Sequence, residues 1–255
     1  MIAVEAPAEP LLTIRNLSMR FPNGFHALRD VSLSIGAGEL VVILGSNGCG
    51  KSTLLRCVSR LLDPTSGTIA VVGEDVSRLS GDALRRARRS VAFVSQQANL
   101  IRRRSVLANV ATGTLGRHRS LASALGFVPA DELPFAFEQL RVVGLADRAP
   151  QRAGTLSGGQ AQRVAIGRAL AQRPRVLLAD EPVASLDPDA VLDVLTLLRR
   201  LAHDGLAVVC VLHQPELALK FADRIVGIRS GSIAFNAPVA AVTTATVAAL
   251  YAGAT

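Results

Sequence analysis

Apolar residues in this chain fall into short runs separated by stretches of helical period. Residues 11–15, 31–35 and 68–72 read as β-type runs and predict an antiparallel β-layer. Residues 40–44 are apolar throughout and lead into a glycine-rich loop, the pattern of a buried central strand. Beyond the loop, Leu54, Leu55, Val58, Leu61 and Leu62 recur at helical spacing and predict a helix over residues 52–62.

Residues 91–94 form another short strand pattern. From about 97 to 155 the texture becomes Arg- and Ala-rich and helical, with Pro129 and Pro134 expected as breaks, and reads as an inserted helical subdomain. Strand pattern resumes at 176–179. Asp187 followed by Pro188 is a helix start, with Val191, Val194, Leu195, Leu198 and Leu201 on one face. Residues 206–212 predict a strand, Pro215 opens a helix, and residues 225–228 and 233–235 flank Ser230 and Gly231 as a hairpin. Strands alternating with helices predict an α/β fold with a mostly parallel sheet. No internal repeat is visible.

At 255 residues the chain can bury one sizeable core with a subdomain. No apolar run approaches the roughly 20 residues of a membrane helix. The first ten residues are expected to be loose, and the uncharged stretch 237–255 to be a terminal packing segment. The N-terminus lacks a basic region followed by an apolar run, so a cytosolic location is expected. Cys49, Cys57 and Cys210 show no CxxC spacing, which argues against a disulfide framework or a zinc site. The net charge is +8, and only Lys51 and Lys220 among 28 basic residues are lysines. Arginines cluster at Arg85, Arg86, Arg88 and Arg89 and at Arg102, Arg103 and Arg104. With one Tyr and no Trp there is little to stack bases, so nucleic acid is not the expected partner. These clusters read as solvated faces, with contact to membrane headgroups or a membrane partner as the alternative.

The chemistry is carried by GSNGCGKS at residues 45–52. A triphosphate needs several donors converging on a small volume. Gly45, Gly48 and Gly50 let the backbone wrap, with Ser46, Asn47 and Cys49 between them, and the following helix offers its positive N-terminus. Lys51 is expected to reach the β- and γ-phosphates, Ser52 to ligate Mg²⁺, and Thr53 to add a phosphate hydrogen bond. In VLLADEP, residues 176–182, an apolar strand delivers Asp180 to its C-terminal end, where it can orient water on Mg²⁺; Glu181 points elsewhere and can polarise the attacking water.

The order GSNGCGKST, Gln96, LSGGQ at residues 156–160, LLADEP, SLD at 185–187 and His213 resembles the ATP-binding subunits of ABC transporters, over residues 11–243. The resemblance implies a P-loop NTPase core with an antiparallel β-subdomain and a helical subdomain at about 97–160, and a short tail at 244–255. It implies a pair of chains sandwiching two ATP. Ser157, Gly158, Gly159 and Gln160 would bind the γ-phosphate held by the opposite copy. Ser185, Leu186 and Asp187 would cross the interface, and His213 would contact the γ-phosphate. Gln96 would touch Mg²⁺ and sense a membrane partner, with Gln97 as its adjacent competitor. Phe21, 24 residues before Gly45, would stack on adenine. Polytopic permease subunits and, indirectly, a substrate-binding protein would be the partners, placing the chain on the cytoplasmic side of the inner membrane.

NLIRRRSVLANV, GTLGRHRSL, LADEPVASLDP and VLHQPELALKFADRIVGIRSG are similar to the phosphonate-importer ATPase subfamily. The strand VVCVLHQ and the arginine-dominated surface depart from it, leaving phosphate, phosphite or another oxyanion open as cargo. Two other readings stand beside import: an exporter or lipid-extraction ATPase, and a non-transport ATPase associated with nucleic acid, which only the charge favours.

Overall fold

The computed structural model describes residues 9–118 and 121–252; the expected loose N-terminus lies largely outside them, as does the end of the tail. β1 (Leu12–Arg20) turns through residues 21–25 into β2 (His26–Ile35). Then come β3 (Leu40–Leu44), α1 (Lys51–Val58), β4 (Ser66–Val71), β5 (Glu74–Asp75), α2 (Gly81–Ala87) and β6 (Val91–Val94). The helical stretch holds α3 (Val106–Ala111), α4 (Leu121–Ala124), α5 (Leu133–Val142) and α6 (Gly158–Leu170). The chain returns through β7 (Val176–Asp180), α7 (Pro188–His203), β8 (Ala207–Val211), α8 (Pro215–Phe221), β9 (Arg224–Arg229), β10 (Ser232–Pro238) and α9 (Thr244–Tyr251).

Two sheets result. One is antiparallel, in the order β2-β1-β4-β5; the other is β10-β9-β3-β8-β7-β6, parallel apart from β10. The unbroken apolar run of β3 reflects burial on both faces. Leu40, Val42 and Leu44 enter one core, while Val41 and Ile43 enter another, as a period of two requires. β7 divides its residues the same way, Leu177 and Ala179 against Val176 and Leu178. The first core runs on into the helical stretch through Val110, Leu140, Val164 and Ile166. The second joins the larger sheet to the antiparallel layer through Leu12, Ile14 and Leu17, with Leu54 and Leu55 of α1 between.

The start of α7 has the expected chemistry: Asp187 Oδ1 accepts the Ala190 N–H at 2.9 Å, and Pro188 occupies the first turn. Three expectations need correction. The helix after the loop stops at Val58 rather than Leu62, because Arg60 takes a left-handed φ of 54° and its guanidinium is held by Asp63 at 2.8 Å. Leu61, 60% exposed, and Leu62 therefore leave the helix with their N–H groups turned back to Arg56 O. Pro134 does not break a helix but opens one, in the first turn of α5, where its missing N–H costs nothing. Val72 is not in β4; with a φ of 51° it begins the turn into β5. In the tail, α9 buries Val247 and Leu250, so the stretch does pack on the core. Among the described residues no helix is long and apolar enough to cross a membrane.

Candidate nucleotide site

The loop after β3 can exist only with glycine at its tightest points. A Cβ on Gly45, at φ 154°, would lie 2.3 Å from Ile228 O, and one on Gly50, at φ 112°, would lie 2.4 Å from Ala27 O. Gly231 N–H, in the β9–β10 turn, donates to Cys49 O at 3.0 Å. The loop is thus wedged between the start of β2 and the β9–β10 hairpin.

Lys51 is 4% exposed, and its Nζ donates to Gly45 O and Ser46 O at 2.8 and 2.9 Å, strapping the loop from within. Burial pushes the Cys49 thiol above its usual range, with the Lys51 charge pulling the other way. Ser52, in the first turn of α1, donates its hydroxyl to Asp180 Oδ1 at 2.8 Å. Asp180 closes β7 and is 8% exposed. Burial raises its carboxyl above the ordinary value; the Ser52 hydrogen bond lowers it, and the Glu181 charge adds to the rise. A hydroxyl beside a carboxylate is a pair of hard oxygen donors of the kind Mg²⁺ accepts, along with phosphate and water.

Glu181 adopts φ 52°, a left-handed conformation that costs a side-chain-bearing residue roughly 1–2 kcal/mol. The turn carries its carboxylate away from Asp180 and places Oε1 2.6 Å from His213 Nε2. His213 follows β8, the neighbour of both β3 and β7. Gln96, exposed, follows β6 at the far side of β7. Lys51, Ser52, Asp180, Glu181, His213 and Gln96 therefore all come from the C-terminal edge of four adjacent parallel strands, where open α/β sheets take ligands.

Ser157 to Gln160 are built differently. Ser157 caps α6: its Oγ accepts the Gln160 N–H at 3.3 Å, while Gln160 Oε1 accepts the Ser157 N–H at 3.1 Å. A Cβ on Gly158 would be 3.1 Å from Leu186 Cδ2, and one on Gly159 only 2.5 Å from Ala190 Cβ. This helix start rests on the start of α7 and carries no acidic residue in its first turn, which leaves its positive end to an anion. Ser185, at φ 66°, is the second left-handed residue between β7 and α7.

Phe21 is half-buried against the core of the antiparallel layer. Its ring stacks on Phe25, at 6.4 Å between centroids and 17° between planes. The cavity beside residues 46–49, about 340 Å³, is lined by Phe25 rather than Phe21.

Sequence reasoning overlooked two tethers. Gln162, 2% exposed, donates to Ser95 O at 3.2 Å, and Arg168 donates to Asn99 O and Ala98 O at 2.8 Å each. The segment that carries Gln96 is thereby pinned to α6, the helix that Ser157 caps. The arginines at 102–104 are exposed on the same stretch, as a solvated face would be.

The sequence profile of the ABC transporter family matches residues 28–184. The phosphonates import ATP-binding protein PhnC 3 of Halalkalibacterium halodurans is 42% identical over 242 residues, 94% of each chain. PhnC of Frankia casuarinae is 52% identical over 211 residues, 82% of this chain and 83% of the relative. Among solved structures, the ADP form of MJ1267, an ATP-binding cassette of an ABC transporter, superposes with a TM-score of 0.84 at 26% identity over 96% of this chain and 100% of the other. The dimeric post-hydrolysis state of the cassette MJ0796 bound to ADP and Pi gives 0.77 at 33% identity, over 89% and 98%.

Proposed function

The chain belongs to the ABC transporter family of ATP-binding proteins, and from that premise we propose that it is the ATP-hydrolysing subunit of an importer for phosphonate or a related oxyanion. It is an ATPase. One observation carries the reading: Lys51, Ser52, Asp180, Glu181 and His213 share one strand edge, with Ser52 and Asp180 2.8 Å apart and Glu181 and His213 2.6 Å apart. The names of the relatives support phosphonate as the cargo.

In this reading the loop N–H groups from Gly45 to Thr53 cradle the phosphates, and Lys51 leaves the loop carbonyls for the β- and γ-phosphates. Ser52 and Asp180, with Gln96, would hold Mg²⁺, which would neutralise charge on the phosphates. Glu181 orients and polarises the attacking water. His213 turns from Glu181 to the γ-phosphate, so arrival of ATP frees the carboxylate for its task. Ser157, Gly158 and Gly159 of a second copy close over that phosphate, held in shape by Gln160. Two such copies sandwich two nucleotides, and preorganised charge at the γ-phosphate supplies most of the catalysis. Closure reaches membrane permease subunits through Gln96, since its segment is tied to α6 by Gln162 and Arg168. The protein would sit on the cytoplasmic face of the membrane, served by a substrate-binding protein.

The test is reconstitution of the chain with its permease and binding protein in liposomes. ATP-dependent uptake of methylphosphonate, competed by the true cargo among phosphate and phosphite, is expected. ATP turnover with no uptake of any of these oxyanions would overturn import of this cargo class.

A further inference from the structure

Arg141, Arg163 and Arg200 come from three different helices, α5, α6 and α7, and line one cavity of about 270 Å³. It lies where the helical stretch meets the core and shares no residue with the nucleotide site. Guanidinium groups are always charged and repel one another, so gathering three of them needs an opposite charge nearby. Among the described lining residues Asp193 is the one acid. Its exposed carboxylate is 3.9 Å from Arg163 Nη2, the far limit of an ion pair. Arg141 also pairs with exposed Glu138, at 3.1 Å. Exposed pairs of this kind hold little energy, and the cavity keeps an excess of positive charge.

Arg163 is the anchor. Its side chain is 24% exposed, and its Nε is buried without a hydrogen-bond partner. A buried guanidinium donor normally has an acceptor, so an unused one marks a place that an acceptor would suit. Gly144, left-handed at φ 70° after α5, lies against the same guanidinium: a Cβ there would be 3.6 Å from Arg163 Nη1. The carbonyl end of α5 would repel an anion. Arg200 donates to Val142 O and Arg141 stands in the last turn, and both offset that end. Much of the remaining lining is apolar, with Val143 and Leu197 buried and Leu192 39% exposed.

We propose that this cavity binds a small organic oxyanion, a phosphonate with its oxygens on the three arginines and its carbon chain on Val143, Leu192 and Leu197. The planar fork of a guanidinium matches two oxygens of such a group. Naming the ligand a phosphonate rests on the importer reading; the arginine set does not. An anion held there would tie α5 and α6 to α7, and Ser157 and Asp187 cap the last two of these helices.

The experiment is calorimetry of propylphosphonate and methylphosphonate binding to the full chain. Propylphosphonate should bind about tenfold more tightly, the effect of two more methylenes on apolar surface. Arg163→Gln should weaken propylphosphonate by at least about tenfold while MgATP stays within twofold. Asp193→Asn removes the competing carboxylate and should tighten propylphosphonate about threefold, a gain that misfolding cannot produce. Lys51→Ala should leave it within twofold, because the phosphate loop is not the site. The proposal falls if propylphosphonate does not bind, if Arg163→Gln binds it as the parent does, if Asp193→Asn gives no gain, or if Lys51→Ala abolishes it. Equal binding of the two phosphonates would overturn the apolar half of the site. Propylphosphonate binding with this variant pattern in a chain that imports no oxyanion would strike the importer reading and leave the site standing.

Discussion

Glu181 Oε1 and His213 Nε2 lie 2.6 Å apart at the ends of adjacent strands, and Glu181 reaches that position only through a left-handed backbone at φ 52°. The contact sets the histidine against the carboxylate proposed to orient the attacking water. The backbone strain persists because β7 and the following turn fix it from both sides.

Glu181→Gln is expected to keep ATP affinity within about threefold and to lower kcat by at least about a hundredfold, the usual yield of a positioned general base. His213→Ala should lower kcat by a similar order. The double variant should be no worse than the poorer single one, because the two act on one step. Steady-state phosphate release checks all three, and a multiplicative double variant would separate the two residues.

Asp180→Asn should raise the melting temperature of the nucleotide-free protein at pH 7. Burial holds the Asp180 carboxyl above its unfolded value of 3.8, so the folded state binds its proton more tightly. That stability is fully present below pH 3.8 and is lost as pH rises through the folded value. The advantage of the amide should therefore shrink as pH falls towards that value. Melting curves from pH 4 to pH 8 decide it, and a lower melting temperature for the amide at pH 7 would contradict the sign.

Gly159→Ala should be crippled in turnover while still binding ATP, because its Cβ would sit 2.5 Å from Ala190 Cβ and push α6 off α7. Restoring the space with Ala190→Gly in the same chain should recover most of the loss, at a helix-propensity cost of about 1 kcal/mol. Comparable turnover in the single and double variants would place the defect elsewhere.

The parts of the fold legible in the sequence were those with local causes. A strand buried on both faces must be apolar throughout, as residues 40–44 are, and a phosphate loop must be glycine-rich where neighbours press to 2.4 Å. The end of α1 was not legible, because Leu61 and Leu62 continue the helical period while Arg60 and Asp63 stop it. The tethers from Gln162 and Arg168 end on backbone carbonyls 67 to 70 residues away, and a carbonyl leaves no mark in a sequence. Nor does residue type reveal that Glu181 turns left-handed, a conformation for which Gly or Asn would have been the expected signal.

The central claim is that the phosphate loop of one copy is completed by Ser157 of another. Sedimentation of the Glu181→Gln chain with MgATP tests it most directly. The chain should move from a monomer of 26.7 kDa to a dimer, and adding Ser157→Arg should keep it monomeric with ATP still bound. A Glu181→Gln, Ser157→Arg chain that dimerises with ATP as readily as Glu181→Gln alone would contradict the account.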